Sequence, residues 1–365
     1  MSLIRGYADD LPLDSWLSER VLPAESGMTP QDVFRGTELS CLEMIKSGTT
    51  AFHDMYFFPE ETARAARGMG MRACVSCGFT DLGDPDLLER ARKKAETFVR
   101  AVRQWGCDRV QPSIGPHAVY TVSEEGLRWS AAFARTEDIG IHIHLSETGR
   151  EVRDCIDLHG MRPALWLERC GVLTPSTVAA HCCWLDRAEC SLLAANRVHV
   201  AHNPVSNMKL AVSRTMPLPW LKAAGVNCGL GTDGCTSNNS LDLIREMRMA
   251  SLLHAFSWND RAALPPEIAL GMATRSGAEA LRLPSGRIEQ GAPADIILVR
   301  PAFSPSMRPG AIAEYLVSRG SGADVVTTIC NGRVLMHERF VPREEEILRN
   351  AAEAAGNLMA KVNPV

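Results

Sequence analysis

From residue 49 to residue 234, short apolar runs typical of β-strands alternate with amphipathic stretches typical of helices. Seven such runs occur, at 49–55, 72–79, 110–117, 140–147, 177–185, 198–203 and 226–234. Between them, segments such as 85–105 and 124–137 repeat apolar residues at three- and four-residue spacing, as a helix with one buried face requires. This alternation predicts a parallel sheet covered by helices.

Ionisable side chains stand at or just after the C-terminal ends of these runs. They are Asp54, His117, His144, Glu147, His181, His202 and Asp233. In a (β/α)8 barrel the active site is built from this end of several strands. An open doubly wound sheet usually carries a glycine-rich phosphate loop, and neither GxGxxG nor GxxxxGK[ST] occurs here. The pattern therefore favours an α/β fold of the TIM-barrel type.

Seven strands are one fewer than such a barrel needs, and we expect the first strand to lie before residue 1. After about residue 285 the pattern changes to short strands separated by turn residues, at 286–300 and 325–336. We therefore expect three parts. They are a barrel lacking strand one at 1–285, the C-terminal half of a small β-sandwich at 286–342, and a C-terminal helix at 343–365.

Composition excludes several classes of function. With 39 Lys and Arg against 43 Asp and Glu, the net charge is −4, which offers no basic surface for nucleic acid. No uncharged apolar run reaches the roughly 18 residues of a membrane helix, and the first residues do not resemble a signal peptide. The 12 cysteines are scattered singly, unlike those of a disulfide scaffold. We expect a cytoplasmic protein with reduced, mostly buried thiols.

The ionisable residues of the strand ends suit a metal-dependent site. His144 and Glu147 form an HxxE pair, His181 belongs to the next strand, and Asp233 follows the seventh. A single histidine near a strand end is more often a core residue than a ligand. Three histidines (His117, His144 and His181) and Asp233 at four separate strand ends nevertheless favour a shared site. Imidazoles and a carboxylate at one mouth suit catalytic zinc or iron. Glu147 would then move the proton of a metal-bound water, whose pKa falls to about 7.

Two other groups of residues are expected to be structural. His142, on the same strand as His144, is expected to face away from the site and to be a core histidine. Cys74 and Cys77 form a CxxC pair, but they lie inside an apolar strand without a second pair, so we expect buried thiols. Cys182 and Cys183 receive the same interpretation.

Nine stretches along the chain carry a resemblance to a known family. They are RGYADDLPLDSWL, PAE, SGTTAFHDMYF, GPHAVYT, HIHLSET, AAHCCWL, AHNPVSNMKLA, GTDGCTSNNSLDL and GRIEQGAPADIILV. In these stretches the sequence resembles the amidohydrolase superfamily, and within it the methylthioadenosine/S-adenosylhomocysteine deaminases and related nucleoside deaminases. The stretches follow the family's order over nearly the whole chain.

The resemblance implies a role for each residue of the predicted site. His144 matches a metal ligand, and Glu147 matches the general acid/base. His181 matches a histidine that polarises the hydroxide or the substrate, with or without touching the metal. Asp233 matches a metal ligand that also accepts a proton from the attacking water. Glu147 and Asp233 are therefore expected to contact the substrate as well.

Further residues match substrate-binding positions of the family. His117 and Glu25 match residues that hold the purine and the ribose hydroxyls, which agrees with the hydrogen-bonding capacity of imidazole and carboxylate. Ser237, which belongs to the GTDGCTSNNSLDL stretch, is expected to bind substrate as well. Some members grip a substrate carboxylate with two arginines; Ser76 occupies one such position here, and Arg90 matches the other only weakly. A charged homocysteine tail is therefore less favoured than a plain 5′-substituted adenosine.

The resemblance also implies two further metal ligands, an HxH motif that the family carries before the RGYADDLPL segment and that this sequence lacks. We expect a metal-dependent hydrolase of non-peptide carbon–nitrogen bonds that uses one divalent ion, zinc or iron. Expected substrates are 5′-methylthioadenosine, S-adenosylhomocysteine or 5′-deoxyadenosine. The alternatives are a deaminase or chlorohydrolase of another heterocycle, such as 8-oxoguanine or an s-triazine, and an inactive truncated remnant. We expect a homo-oligomer, because the sheet edges left without strand one invite pairing.

Overall fold

In the structure, a computed structural model that describes residues 2–7, 16–302 and 310–362, seven strands form one parallel sheet. The strands are β1 (Ala51–Tyr56), β2 (Arg72–Phe79), β3 (Val110–Pro116), β4 (Gly140–Leu145), β5 (Thr177–His181), β6 (His199–His202) and β7 (Cys228–Leu230). Their order in space is their order in the chain, and every neighbouring pair is parallel. This is the connectivity of a (β/α) barrel, so the predicted fold is confirmed.

Helices lie before β1, between each strand and the next, and after β7. They are α1 (Leu22–Ser26), α2 (Pro30–Ser47), α3 (Pro59–Met69), α4 (Pro85–Gln104), α5 (Glu124–Thr136), α6 (Gly149–His159), α7 (Pro163–Arg169), α8 (Arg187–Ala195), α9 (Pro204–Lys209), α10 (Leu218–Ala224), α11 (Cys235–Asn238), α12 (Leu243–Trp258), α13 (Pro266–Ala273) and α14 (Arg275–Ala280). A single turn of 3-10 helix (Ser2–Ile4) and a π-helical turn (Trp16–Val21) precede them. Among the described residues, no helix combines the length and the apolar character needed to cross a membrane.

Helix starts are set by local capping chemistry that the sequence encodes. Asp84 accepts hydrogen bonds from the first amides of α4, and Thr148 accepts one from the Glu151 amide at the start of α6. Gly149, the first residue of α6, lies so close to the Trp184 ring that an added Cβ would approach its carbons to 2.8 Å. The cap and this close approach together fix where α6 begins, directly after the loop that carries Glu147.

The core lies between the sheet and the helices that cover it. Val75, Ile114 and Ile143 from three strands are completely buried in one cluster with Phe98 of α4 and Leu127 of α5. Burial of each side chain of this size stabilises the fold by about 1.5–3 kcal/mol. This cluster holds the strands against the surrounding helices and thereby fixes the positions of the C-terminal ends of the strands.

A small antiparallel sheet follows the barrel. It consists of β8 (Ile296–Val299), β9 (Val325–Cys330) and β10 (Arg333–Met336), with β9 in the centre. The helix α15 (Ala311–Ser318) lies between β8 and β9 in the chain, and α16 (Glu344–Val362) packs against α2. The change of architecture near residue 285 was expected from the sequence, and the three domain boundaries stay predictions.

One buried ion pair joins the small sheet to the barrel. Arg72, the first residue of β2, donates from Nε to Asp295 Oδ2 at 2.6 Å and from a terminal nitrogen to Asn331 Oδ1 at 2.8 Å. The side chains of Arg72 and Asp295 are only 2% and 3% exposed. A charge pair this well buried is stable only while both partners are present.

Candidate active site

Left-handed backbone residues end the strands that carry the predicted site. Ser146 (φ 48°), His181 (φ 71°) and Asp233 (φ 59°) all adopt positive φ, which is uncommon for residues other than glycine. As a result β4 ends at Leu145, so that Glu147 lies in the loop beyond it, and Asp233 lies three residues beyond the end of β7. Non-glycine residues held in this region cluster at functional sites.

His144 is oriented as a neutral imidazole. Its Nδ1 donates to the His117 carbonyl at 2.8 Å, so Nε2 retains its lone pair. Burial, and next the nearby His181, lower the pKa of His144 below its usual value. The ring centroids of His144 and His181 are 5.3 Å apart. A histidine whose second nitrogen is tied to a carbonyl is the usual form of a metal-ligating imidazole.

His181 ends β5 and contacts two other polar groups. Its Nδ1 lies 2.9 Å from Asn207 Nδ2 and 3.6 Å from Glu147 Oε1. The side chain is 2% exposed, and burial lowers its pKa, so the ring is neutral. The Asn207 contact bears directly on which ring nitrogen carries the proton.

Asp233 is held as a carboxylate. Its Oδ2 accepts from Ser206 Oγ at 2.6 Å, and its Oδ1 accepts from the Gly234 amide at 2.7 Å. Burial alone would raise its pKa, but His181, the Ser206 hydrogen bond and His144 together leave the pKa lowered. The site thus contains one firmly ionised carboxylate.

Glu147 has the opposite behaviour. Burial raises its pKa to about 7, against the lowering effect of His144. The loop around it is fixed by Glu151, whose carboxylate accepts from the Ser146 and Glu147 amides at 2.7 Å each. A carboxyl with this pKa exchanges protons readily near neutral pH. Sequence reasoning missed Glu151, although its position three residues after Thr148 is typical of a helix start.

His117 and Glu25 lie in different surroundings. The His117 ring is 4.7 Å from His144, and its Nδ1 is 2.8 Å from Thr121 Oγ1; burial lowers its pKa to about 3. Glu25 in α1 is buried, and its Oε1 accepts from Tyr56 Oη at 2.6 Å. Burial is the main cause of the raised pKa of Glu25. Because Tyr56 ends β1, Glu25 lies near the same edge of the sheet as His117.

Other residues of the predicted set are placed differently. Ser237 is buried in α11, where its Oγ donates to the Gly234 carbonyl at 3.0 Å, beside Asp233. Arg90 is exposed on α4, and its Nε donates to the Asp86 carbonyl of its own helix. Within the described ranges, the hydrogen bonds and ion pairs do not join Arg90 to the other predicted residues.

The expected orientation of His142 is wrong. Side chains of a strand alternate between faces with a period of two, so His142 and His144 share one face. Their ring centroids are 6.2 Å apart, and His142 also stacks on His53 at 4.1 Å. Ser76 contacts both His53 and His142 at the same depth and does not lie at a strand end. A structural role for His142 stays a prediction.

The cysteine prediction is confirmed. All 12 cysteines are unpaired, and every one except the half-buried Cys107 is buried. Burial raises the pKa of the Cys74 thiol to about 11 and that of Cys77 to about 12, so both remain protonated. Inert buried thiols of this kind are structural.

The fit of a metal to this site depends on donor chemistry. In the part of the chain that the structure describes, no three His, Cys, Asp or Glu side chains are arranged to hold an ion by themselves. The donors nevertheless have the right chemistry, because neutral imidazole and ionised carboxylate are ligands of zinc and related ions. His144 and Asp233 therefore form a partial donor set.

The segment NPVSN (203–207), which directly follows β6, supplies contacts that sequence reasoning missed. Its residues Ser206 and Asn207 lie in α9 and contact Asp233 and His181, respectively. Glu246 of α12 accepts from the Val205 amide at 3.4 Å and from Asn238 at 2.5 Å. Ser206 and Asn207 follow the C-terminal end of a strand, and this position in the sequence could have identified them as site residues.

Comparison with known proteins agrees with this geometry. The model of the Amidohydrolase family matches residues 1–335. The chain is 52% identical over 361 residues to the 5′-deoxyadenosine deaminase of Methanoregula boonei, covering 99% of the chain and 82% of that relative. It is 44% identical over 363 residues to the 5-methylthioadenosine/S-adenosylhomocysteine deaminase 1 of Archaeoglobus fulgidus, covering 98% and 85%.

A solved structure is also similar over nearly the full length. An adenosine deaminase from Xanthomonas campestris with bound zinc superimposes with a TM-score of 0.93 at 31% identity, covering 98% of this chain and 83% of that one. A parallel barrel with imidazoles and carboxylates at its C-terminal edge is typical of a metal-dependent hydrolase. The chain belongs to the amidohydrolase family.

Proposed function

We propose that this protein is a metal-dependent aminohydrolase that deaminates an adenine nucleoside with a small, uncharged 5′ substituent, such as 5′-deoxyadenosine or 5′-methylthioadenosine. The products are the inosine analogue and ammonia. The observation that carries the proposal is the juxtaposition of Glu147 (pKa about 7) with neutral His181, 3.6 Å away, and with ionised Asp233. Relatives named for this reaction support the same assignment.

His144 and Asp233 would hold a divalent metal, and His181 is a third ligand or a hydrogen-bond donor according to its tautomer. Such a metal, when bound, lowers the pKa of water to about 7 and so supplies hydroxide. We propose zinc, because the similar Xanthomonas campestris structure contains it, with iron as the alternative. Two imidazoles and a carboxylate suit either ion.

Glu147 and Asp233 are each assigned one proton transfer of the reaction. Water adds at C6 of the purine, and the bond from C6 to the amino nitrogen breaks. Glu147 takes a proton from the water and delivers it to the leaving nitrogen, which requires a pKa near neutrality. Asp233, whose pKa is lowered, accepts the second water proton only transiently and releases it to ring N1, as the oxygen on C6 becomes a carbonyl. One water proton thus leaves in ammonia and the other ends on N1 of the inosine analogue, and both carboxyls return to their starting state.

Substrate binding is assigned to the neighbouring polar groups. The Thr121 hydroxyl is within hydrogen-bond distance of both His117 Nδ1, at 2.8 Å, and the Ala118 carbonyl, at 3.3 Å. When its proton goes to Nδ1, His117 can donate from Nε2 to a purine nitrogen. Glu25 can accept hydrogen bonds from both ribose hydroxyls, and its present partner is Tyr56. Ser237 lies beside Asp233 and is assigned to the same pocket.

The preference for an uncharged 5′ group follows from two positions. Ser76 is completely buried inside the barrel, and Arg90 is exposed and bonded to its own helix. Neither is arranged to bind the carboxylate of a homocysteine tail. We expect kcat/KM for 5′-deoxyadenosine to exceed that for S-adenosylhomocysteine by at least about tenfold, the effect of one lost 1.4 kcal/mol contact. Equal values would contradict this assignment.

The deciding experiment follows the ultraviolet change of adenosine derivatives and the release of ammonia with zinc present. It uses two preparations: the 365-residue chain, and the gene product extended by any in-frame codons upstream of Met1. Deamination of 5′-deoxyadenosine by either preparation supports the proposal. Turnover of 8-oxoguanine or an s-triazine instead would support the alternative hydrolase. Absence of turnover in both preparations would support an inactive remnant.

Two further inferences concern the setting of the enzyme. The 12 unpaired cysteines support a reducing, cytoplasmic location, since oxidising compartments favour disulfides. In the described sheet β1 pairs only with β2, and β7 only with β6, which leaves two edges. Exposed edges favour association with another chain, so light scattering is expected to report a homo-oligomer. A monomer at micromolar concentration would contradict this expectation.

A further inference from the structure

Two adjacent residues of α9 contact two different residues of the site. Ser206 donates to Asp233, and Asn207 lies with Nδ2 2.9 Å from His181 Nδ1. In the structure the amide nitrogen of Asn207 faces the ring, and since its N–H can only donate, His181 Nδ1 accepts this hydrogen bond. A neutral imidazole has one protonated nitrogen, so the proton of His181 then resides on Nε2.

We propose that Asn207 is a positioning residue that fixes the tautomer of His181. This inference rests on the proposed function, in which His181 acts on the hydroxide or the substrate. With the proton on Nε2, His181 can donate a hydrogen bond from that nitrogen. With the proton on Nδ1, the same nitrogen would have only a lone pair. The amide of Asn207 therefore determines whether Nε2 of His181 is a hydrogen-bond donor or an acceptor.

The same hydrogen bond separates His181 from the proton of Glu147. Glu147 Oε1 is 3.6 Å from His181 Nδ1, which is longer than a hydrogen bond. Because Nδ1 already accepts from Asn207, its lone pair is occupied. The contact of Nδ1 is therefore with Asn207 and not with Glu147.

Asn207 is held firmly enough to fulfil this role. Its side chain is 3% exposed, and α9 is anchored at both ends. At one end the Val205 amide donates to Glu246; at the other, Lys209 Nζ donates to the Thr236 carbonyl at 2.8 Å. An amide fixed by its helix gives a better-defined hydrogen bond than one on a loose loop.

The fold contains a matched control for this contact. Asn227 Nδ2 lies 2.9 Å from His199 Nδ1, the same pair of atoms at the same distance. His199 begins β6, so this second pair lies at the N-terminal edge of the sheet. Residues at that edge of a barrel serve stability and not catalysis.

The test replaces Asn207 by Asp, which has nearly the same shape but offers only acceptors. Nitrogen-15 NMR of histidine-labelled, zinc-supplemented protein distinguishes protonated from unprotonated ring nitrogens. We expect the proton of His181 on Nε2 in the unaltered protein and on Nδ1 in Asn207→Asp. Asn207→Leu, which removes the donor without adding charge, is expected to give a mixture of tautomers. Asn227→Asp should change only His199.

Activity provides the second readout. We expect kcat of Asn207→Asp to fall by about 10²-fold, the effect of losing one oriented donor, with KM changed by less than about threefold. Asn227→Asp should retain its kcat within about twofold. The proposal is overturned if His181 carries its proton on Nδ1 in the unaltered protein, or if Asn207→Asp and Asn207→Leu leave its tautomer unchanged. The NMR result does not depend on turnover, so it remains decisive even if no nucleoside is deaminated.

Discussion

Burial acts in opposite directions on the acids and bases of this site. Desolvation disfavours whichever form is charged, so it raises the pKa of Glu147 and lowers that of His144. Asp233 escapes the same effect because two hydrogen bonds and two nearby imidazoles favour its ionised form. One buried site thus contains a neutral imidazole, an ionised carboxylate and a carboxyl that titrates near neutrality.

Replacement of Glu147 by Gln should remove proton transfer while keeping the size of the side chain. We expect kcat for the nucleoside to fall by about 10²–10⁴-fold, the usual contribution of a general acid/base. Bound zinc, measured by elemental analysis, should not change. Glu89→Gln, at an exposed position of α4, is the matched control and should retain full activity. Comparable loss of activity in both variants would contradict the role of Glu147.

Glu25 offers a test of ribose recognition. A hydrogen bond to a charged group contributes about 1.5–3 kcal/mol, so Glu25→Gln should raise KM by about tenfold or more without lowering kcat. Tyr56→Phe removes the present partner of Glu25 and leaves its carboxyl intact. Steady-state kinetics should therefore give a larger KM for Glu25→Gln than for Tyr56→Phe. A large fall in kcat for Glu25→Gln would assign this residue to the chemical step.

The residues that sequence reasoning identified are those whose chemical type is itself informative. Histidines and carboxylates at strand ends stand out without knowledge of the fold. Asn207 and Glu151 did not, because an amide and a helix-start glutamate are common everywhere and acquire meaning only through the atoms they contact. The orientation predicted for His142 was wrong. Residues two apart in a strand share a face, so His142 lies on the same face as His144.

At the scale of elements, Glu246 ties the loop after β6 to the loop after β7. One carboxylate oxygen accepts from Val205, at the start of α9, and the other accepts from Asn238 in α11. Asn238 in turn donates to the Thr232 carbonyl, next to Asp233. A single side chain thus sets the spacing of two segments that contact the site.

The stability of this tie should depend on pH. Burial is the largest cause that raises the pKa of Glu246 from 4.5 to about 7 in the folded protein. The unfolded chain therefore loses the proton first, and ionisation costs folding stability as pH rises from about 4.5 to about 7. Glu246→Gln lacks this cost. Relative to the unaltered protein, its free energy of unfolding should rise by about 3 kcal/mol between about pH 4 and about pH 8.

Urea denaturation at the two pH values measures this difference, and comparing the two removes any constant effect of the lost acceptor. The direction of the change is the decisive result. If the difference between the proteins does not vary with pH, Glu246 ionises in the folded state as it does in the unfolded chain.

Elements were predicted well from sequence, and their ends less well. Six of the seven barrel strands lie within the predicted runs, and β1 extends one residue beyond its run, to Tyr56, because apolar β-rich segments separated by amphipathic helices leave few alternatives. The runs at 140–147 and 177–185 continue beyond the strands observed, which end at Leu145 and His181. The strands stop where Ser146 and His181 adopt positive φ. Glycine is the usual sequence signal of that conformation, and neither position is a glycine, so the sequence did not predict these strand ends.

At the scale of the whole molecule, the ion pair of Arg72 and Asp295 joins the barrel to the small sheet. Removal of one partner leaves the other charge buried, which costs about 3–5 kcal/mol. We expect Asp295→Asn and Arg72→Met each to lower the free energy of unfolding by about this amount. The double variant should lose at least about 1 kcal/mol less than the sum of the single losses, because the two residues are coupled. Additive losses in urea denaturation would show that the pair does not hold the two parts together.

The twelve unpaired thiols can also be used to measure the local stability of the fold. Cys107 is the one half-exposed thiol, and the other eleven are distributed from Cys41 in α2 to Cys330 in β9. Reagents that modify thiols should label Cys107 at once and reach each of the others only when its surroundings open transiently. Because local opening free energies range from near zero up to that of global unfolding, the labelling rates would rank the elements of the barrel by how often they come apart.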